Sequence, residues 1–113
     1  MVVQLELSDD DVDRIFHALA DATRRDIVRR TLVGDASVTE LAAAYAMSFA
    51  AVQKHVAVLE GAGLVTKQAR GRSRLVRADA DTIGRARTLL DAYAELWTSR
   101  IDRLDALLAD DEN

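Results

Sequence analysis

The sequence of 113 residues contains no proline and only 5 glycines. Proline removes a backbone donor and glycine carries a large conformational entropy, so their scarcity favours long, uninterrupted helices. An all-β fold would need many turn residues, which this chain lacks. The length suits one domain with a modest core. Because aromatic residues are only 4% of the chain, we expect that core to need a partner subunit.

Five helices are predicted from start signals followed by helical spacing of apolar residues. Ser8 precedes three aspartates, which suit the positive end of a helix dipole, and Asp21 and Ser48 stand at similar starts. Ser37, followed by Glu40, has the form of a capping box. The predicted helices are a first one after Ser8, then ATRRDIVRRTLV, TELAAAYA, FAAVQKHVAVLEGA and a long last helix over residues 79–108.

A two-stranded hairpin with a basic tip is predicted after the fourth helix. Gly63 suits the left-handed position just past that helix, and Leu64 is expected to fold back towards Leu59. LVTKQ and RLVRA then flank the tip at residues 70–73. Before Ser8, the loose alternation of VVQLEL indicates a short arm or edge strand.

The charge is unevenly distributed along the chain. The net charge of -4 alone argues weakly against nucleic acid, but the acids crowd the two ends. Between them, the segment KQARGRSRLVR at residues 67–77 contains five basic residues and no acid. A solvated loop is the simplest interpretation of such a run. Its place directly after two short helices favours contact with DNA phosphates instead.

Two short helices, a tight turn and a basic hairpin follow one another in the order of a winged helix-turn-helix. A helix that enters the major groove needs small or polar side chains on one face and an apolar opposite face. Helical spacing predicts both faces in the fourth helix. The exposed face comprises Ala50, Gln53, Lys54 and Ala57, and the apolar face comprises Val52, Val56 and Leu59.

The side chains of the exposed face have specific uses on DNA. Gln53 can form two hydrogen bonds with adenine, and Lys54 can reach guanine or a phosphate. Ala50 can contact a thymine methyl group, and Ser48 can donate to a phosphate. The tip arginines, which can bind phosphates or enter the minor groove, are Arg70, Arg72 and Arg74. Without the hairpin, the same helix would equally fit an ordinary core helix with a solvated side.

With these motifs the chain resembles the ArsR/SmtB family of transcriptional repressors over nearly its whole length. FHALADATRRDIV is similar to the family's "ALADPTRRxIL", and RGRSRLV is similar to its wing, "xGRxxxY". VTELAAAYAMSFAAVQKHVAVLEGAGLV is similar to its helix-turn-helix, "ELAxxLxxSxxxVSxHLxxLxxAGLV". The resemblance implies a homodimeric winged-helix protein that binds promoter DNA, is dimerised by its terminal helices and usually acts as a repressor.

The resemblance also implies which residues contact DNA. By position they are Ser48, Phe49, Ala50, Ala51, Gln53, Lys54 and His55 on the reading helix, with Arg70, Arg72, Ser73 and Arg74 on the wing. Two positions depart from the family pattern. Gln53 replaces a frequent serine, which indicates a different operator sequence, and Val76 replaces the frequent wing tyrosine.

The resemblance implies a dimer interface formed by apolar residues of the first and last helices. Those of the last helix alternate spacings of four and three, as in a coiled coil. The predicted interface residues are Phe16, Leu19, Leu90, Tyr93, Ala94, Trp97, Ile101, Leu104 and Leu108. A tryptophan in such a stripe is interpreted as an interface anchor. A pocket for a hydrophobic effector beside Trp97 and Tyr93 is the alternative.

Neither a metal site nor a cofactor is expected. Without cysteine there are no thiolate ligands, and residues 79–113 contain no histidine. Of the two histidines, His17 is interpreted as a packing or surface residue and His55 as part of the reading helix. The carboxylates of the last helix, Asp91, Glu95, Asp102 and Asp105, are interpreted as solvated.

We expect one domain over residues 1–113, with the arm and first helix in 1–20, the helix-turn-helix and wing in 21–78, the dimerisation helix in 79–108 and an acidic tail in 109–113.

No catalytic triad order, P-loop or dinucleotide fingerprint supports an enzyme. A winged-helix module that binds proteins instead of DNA is a second alternative, and a cytoplasmic location is expected because no secretion signal or membrane span is found.

Overall fold

The computed structural model describes residues 7–111, so the arm predicted before Ser8 lies, apart from Leu7, outside the described residues. This part of the chain is mainly helical with a small sheet, as predicted. In chain order the elements are α1 (Asp9–Leu19), α2 (Ala22–Val33), β1 (Ala36–Ser37), α3 (Val38–Ala43), α4 (Phe49–Gly61), β2 (Val65–Arg70), β3 (Ser73–Ala78) and α5 (Ala80–Asp111). None of these helices has both the length and the apolar character of a membrane span.

The predicted helix starts are confirmed by side-chain caps. At each of four starts the capping oxygen accepts a hydrogen bond from the backbone N–H three residues later, which satisfies a donor that the helix leaves unpaired. At Ser37 the bond is reciprocal, because the side chain of Glu40 accepts from the backbone of Ser37. The caps are Ser8, Asp21, Ser37 and Ser48.

One apolar core joins the first four helices to the sheet. Its largest fully buried side chains are Ile15, Ile27, Leu41, Val52, Val56, Leu59, Leu64, Val65 and Val76. Val76, which stands where the family pattern has a tyrosine, is completely buried in β3. Among the described residues of α5, Ile83 and Ala86 near its N-terminus pack against this core, and Leu89 is also buried.

The end of α4 fixes where the wing begins. Gly63 has a positive φ of 75°, a conformation that side chains with a Cβ rarely adopt. The N–H of Leu64 donates to the carbonyl of Leu59 at 3.0 Å, and the N–H of Gly63 donates to that of Glu60 at 3.0 Å. This is the Schellman pattern, and the predicted return of Leu64 towards Leu59 is confirmed. Because β2 starts at Val65, the wing leaves the helix in a fixed direction.

The sheet has three antiparallel strands in the order β1-β3-β2, whereas the sequence predicts a two-stranded hairpin. Gly71 and Arg72 form its two-residue turn, in which Gly71 has a φ of 61°. Glycine at the first turn position is typical of a type II′ hairpin turn. The additional strand pairs Ala36 with Val76 and Ser37 with Leu75. A strand of two residues is too short to show an alternating pattern.

The third helix ends at Ala43, earlier than predicted from TELAAAYA, which runs to Ala46. The N–H groups of Ala44 and Tyr45 donate to carbonyls three residues earlier, which tightens the last turn. This turn directs Tyr45 back to α2, where its hydroxyl donates to Oδ2 of Asp26 at 2.5 Å. A contact across the fold therefore replaces the last predicted helical turn.

Asp26 is the centre of the contact between α2 and the end of α3. Besides the hydroxyl of Tyr45, it accepts from the guanidinium groups of Arg29 and Arg30, each at 2.7 Å. The bond from Tyr45, followed by those from Arg30 and Arg29, holds the pKa of Asp26 far below its ordinary value. Burial, followed by the bond to Asp26, raises the pKa of Tyr45 to about 12.

Replacing Tyr45 with phenylalanine is expected to lower the melting temperature by an amount that depends on pH. Because the pKa of Asp26 is depressed, its contribution to stability is present above about pH 4 and is lost as the pH falls further. Because the pKa of Tyr45 is raised, its contribution is present below about pH 10 and is lost as the pH rises further. Thermal unfolding of both proteins should show a constant gap near neutral pH that shrinks towards both extremes. A gap independent of pH would contradict the hydrogen bond.

Candidate nucleic-acid interface

The faces of α4 lie as the sequence predicts. Val52, Val56 and Leu59 are fully buried. The side opposite them is exposed and carries Phe49, Ala50, Gln53, Lys54 and Ala57. Ser48 accepts from the N–H of Ala51 at 3.1 Å, so the hydroxyl caps the helix. The exposed row is free to enter a groove while the buried row holds the helix in the domain.

The wing and the exposed row of α4 face each other across an open cleft of about 360 Å³. Gln53 and Phe49 contribute from the helix, and Arg72 and Arg74 contribute from the wing. The other lining residues are Val38, Thr39, Lys67 and Ser73. Predicted DNA-contacting residues that are distant in the sequence therefore meet at one concave surface.

The strand register places two of the wing arginines on different faces of the hairpin. Lys67 pairs with Val76 and Ala69 pairs with Arg74, so these four residues share one face of the hairpin. Val76 is in the core, so the same face leads from the core towards α4. Arg70, one residue along from Ala69, belongs to the other face. Arg70 and Arg74 therefore lie on opposite faces of the hairpin.

Two basic residues of the run at 67–77 are paired with acids. Nζ of Lys67 lies 3.8 Å from Oε1 of Glu60. Arg77 forms two hydrogen bonds with Oδ2 of Asp35, at 2.9 and 3.1 Å, and this carboxylate raises the pKa of Arg77 above its ordinary value. Within residues 7–111, no acid lies within ion-pair distance of Arg70, Arg72 or Arg74. The positive charge of the wing is thus concentrated at its tip.

His55 lies on the side of α4 that faces α2. Its Nδ1 is 3.3 Å from a terminal guanidinium nitrogen of Arg24 and 3.9 Å from Oδ2 of Asp21. The imidazole ring is half-buried, whereas the side chains of the neighbouring Gln53 and Lys54 are exposed. The backbone N–H of Arg24 lowers the pKa of Asp21 by its hydrogen bond, and the nearby His55 acts in the same direction. The sequence predicts the place of His55 but not these partners.

Arg24 and Arg25 close the C-terminal end of α1. Nε of Arg24 donates to the carbonyl of Ala18 at 2.8 Å, and a terminal nitrogen donates to that of His17 at 3.0 Å. Arg25 donates to the carbonyl of Leu19 at 2.8 Å. Carbonyls in the last turn of a helix lack the donor four residues later, and the guanidinium groups supply donors here, although the carbonyl of His17 also accepts from the N–H of Ala20 at 3.1 Å. Sequence reasoning missed this role, although the adjacent arginines of ATRR were a visible signal.

The residues predicted for the dimer interface are largely exposed in the single chain. On α5, Leu90, Tyr93, Trp97, Ile101, Leu104 and Leu108 are all exposed, with Trp97 at 60%. On α1, Phe16 is 40% exposed, whereas Leu19 packs against the core of its own subunit. The guanidinium of Arg100 lies 5.5 Å from the centre of the Trp97 ring. A continuous apolar stripe on α5, together with Phe16, therefore remains uncovered.

Potential metal ligands are not brought together in the described residues. No group of three or more histidine, cysteine or acidic side chains with metal-binding spacing occurs within residues 7–111. His17 is exposed on α1, and His55 lies beside Arg24. The carboxylates of α5, including Asp91 and Asp102, lie on exposed positions.

Comparison with known proteins identifies relatives of similar length. No family profile matches the chain. It is 41% identical over 86 residues to the HTH-type transcriptional regulator Rv2034 of Mycobacterium tuberculosis, covering 76% of this chain and 78% of that protein. The crystal structure of an ArsR family transcriptional regulator superposes with a TM-score of 0.77 and 32% identity, over 82% of this chain and 96% of the other.

A further solved structure comes from Mycobacterium bovis. It is the homodimeric winged helix-turn-helix DNA-binding domain of Mb0332, a possible ArsR-family transcriptional regulator. It matches with a TM-score of 0.62 and 25% identity, covering 82% of this chain and 94% of that domain. The predicted winged helix-turn-helix architecture is confirmed by these likenesses.

Proposed function

Because this chain belongs to the ArsR family of winged helix-turn-helix transcriptional regulators, we propose that it binds a pseudo-palindromic operator in promoter DNA as a homodimer and represses transcription. The observation that carries the proposal is the cleft in which Gln53 of α4 meets Arg72 and Arg74 of the wing. A polar reading group and unpaired positive charges on one concave surface are what duplex DNA requires.

In the proposed complex, the exposed row of α4 enters the major groove. Gln53 pairs with adenine, Lys54 contacts guanine or a phosphate, and Ala50 lies against the base edges, where its small side chain permits close approach. Phe49 lies in this row at the start of the helix, Ala51 borders the row, and Ser48 caps the helix. The wing tip, with Arg70, Arg72, Ser73 and Arg74, lies against phosphates or in the adjacent minor groove.

A second copy of the chain is proposed to cover the stripe on α5. The stripe runs along a helix of 32 residues, about 48 Å at the rise of an α-helix. Exposed aromatic and aliphatic side chains in such a row mark an interaction surface. We further propose that the exposed Phe16 of α1 takes part in this interface and that Leu19, which packs against the core of its own subunit, borders it. In a two-fold dimer, the two reading helices would be about 34 Å apart, one turn of DNA.

We further propose a regulator without a transition-metal site, a cofactor or a catalytic activity, located in the cytoplasm. The lack of cysteine supports this, as does the position of His55, which is held by Arg24 rather than by other ligands. Titration of the DNA complex with zinc or nickel should leave it intact at stoichiometric metal. Release of DNA at one equivalent of metal would overturn this part of the proposal.

Removing the charge of Arg72 tests the proposed wing contact. Arg72→Ala is expected to weaken binding to all duplexes about equally and to reduce the salt slope by about one ion per bound subunit, because it deletes a phosphate contact. Arg87→Ala is the matched control, since it removes the same charge from an exposed position on α5 outside the cleft.

The measurement is fluorescence anisotropy of the chain's own promoter DNA at low and moderate salt. An equal effect of Arg72→Ala and Arg87→Ala would show that only net charge matters and would remove the wing from the interface. If the wild-type protein bound no duplex even at low salt, the protein-interaction module would be the better account of the fold.

A further inference from the structure

One guanidinium group connects three helices next to the proposed reading surface. Arg24, near the start of α2, donates to the carbonyls of Ala18 and His17 at the end of α1. Its remaining terminal nitrogen lies 3.3 Å from Nδ1 of His55 on α4. These contacts use separate N–H groups of one rigid, planar guanidinium. The bonds to α1 determine the position of this group, and its remaining donor points at the imidazole ring of His55.

The contact determines which nitrogen of His55 carries the proton. An arginine side chain only donates, and it stays protonated in proteins. In this contact Nδ1 must therefore accept, which places the proton of the neutral ring on Nε2. The two ring nitrogens point to different sides of the imidazole. With Nδ1 turned towards Arg24, the Nε2–H on the other side of this half-buried ring takes no part in that contact.

We propose that Arg24 is a positioning residue for DNA binding, which holds His55 in the Nε2–H tautomer so that the ring donates a hydrogen bond to a DNA phosphate. The inference rests on the proposed function, because it assigns a role at the same DNA interface. It assigns to Arg24 a part in recognition in addition to closing α1. The adjacent Arg25 also closes α1, through Leu19, but has no contact with His55.

Hydrogen-bond distances, and not the surrounding charges, favour this arrangement, because a carboxylate beside Nδ1 would by charge alone attract a proton to that atom. Asp21 lies 3.9 Å from Nδ1 on the same side as Arg24, and its side chain also caps α2 by accepting from the backbone of Arg24. Lys54 precedes His55 on α4 and is exposed, whereas Lys67 of β2 is paired with Glu60 near the far end of α4. Only Arg24 offers an N–H within hydrogen-bond distance of Nδ1 among the described residues.

The tautomer can be measured on the protein without DNA. Nitrogen NMR of the two imidazoles at about pH 8, where a free imidazole is neutral, separates the tautomers, and a His17→Gln variant assigns the signals. We expect His55 to be protonated at Nε2 in the wild type and in Arg25→Lys. In Arg24→Lys we expect a mixture of tautomers, because a lysine ammonium cannot reproduce the fork. A mixture in the wild type, or no change in Arg24→Lys, would overturn the proposal.

The affinity of the variants for promoter DNA tests whether the contact between Arg24 and His55 contributes to DNA binding. Arg24→Lys and His55→Ala are each expected to weaken binding by the dimer about 25-fold, which is the fivefold effect of one net hydrogen bond taken once in each subunit. The double variant should be no weaker than the single ones, because both changes remove one contact. Arg25→Lys should bind as the wild type does, and thermal unfolding confirms that each variant is folded. Additive losses, or an equal loss in Arg25→Lys, would reduce Arg24 to a structural residue.

The two measurements separate the inference from the function on which it rests. If the wild-type protein failed to bind duplex DNA, the proposed function would fail, and the role of His55 on phosphate would fail with it. The NMR result, obtained without DNA, would still decide whether Arg24 fixes the tautomer. If DNA bound normally and the tautomer of His55 were unaffected by Arg24→Lys, the inference alone would fail.

Discussion

Replacing Trp97 with glutamate is expected to convert the protein from a dimer to a monomer and to weaken operator binding by about 10²- to 10⁴-fold. The tryptophan is 60% exposed at the middle of the apolar stripe on α5, so a single chain loses little packing of its own. In a two-fold dimer, the change would bury two unpaired carboxylates, which costs several kcal/mol each. A monomer binds only one half-site and loses the gain of about 10²- to 10⁴-fold from linking two.

The control for this variant is Ser99→Glu, which adds the same charge to an exposed position on the opposite side of α5. Sedimentation gives the oligomeric state, and fluorescence anisotropy gives the affinity for promoter DNA. We expect Ser99→Glu to remain a dimer with affinity close to that of the wild type. A Trp97→Glu protein that stayed dimeric would show that the stripe is not the interface.

Replacing Gln53 with alanine is expected to abolish the preference for one base pair in each half-site. A two-point contact with a base is worth about 1–3 kcal/mol of discrimination, and the symmetric operator contains it twice, so the cognate operator loses about 2–6 kcal/mol of discrimination. Binding to non-cognate DNA should change little, because phosphate contacts remain.

The matched control is Gln68→Ala, which removes the same side chain from an exposed position on β2 that does not line the cleft. Affinities of both variants for the operator and for duplexes substituted at each position give the preference directly. If Gln53→Ala retained the wild-type preference at every position, α4 would not read DNA through Gln53.

Local rules were sufficient to predict most of the fold. Ser8, Asp21, Ser37 and Ser48 cap helices because their side chains satisfy donors within three residues, so the signal is contained in a short segment. The two faces of α4 follow from helical periodicity alone. The stop at Gly63 likewise depends on one backbone conformation.

Contacts between distant segments were not predictable in the same way. The end of α3 depends on Tyr45 reaching Asp26 on α2. The neutralisation of Lys67 and Arg77 depends on acids at Glu60 and Asp35, which only the folded chain brings near. No periodicity encodes such pairs. The role of Arg24 as an anchor for α1 and His55 escaped sequence reasoning for the same physical reason.

The candidate site was predicted as a set of residues but not as a surface. Phe49, Gln53, Arg72 and Arg74 were all selected from the sequence, and the structure adds that they line one cleft. It also separates Arg74 from Arg70, which lie on opposite faces of the hairpin. The pairing register of β2 and β3 determines which face each arginine occupies, and the turn at Gly71 fixes that register.

Selection of bound duplexes from a random pool tests the central claim most directly, because it requires sequence-specific binding by a symmetric dimer. We expect enrichment of a two-fold symmetric sequence with half-site centres about 10 base pairs apart. We also expect Gln53→Ala to enrich the same symmetric frame with one position in each half-site no longer specified. A wild-type protein that enriched no sequence, or a single half-site without symmetry, would contradict the claim.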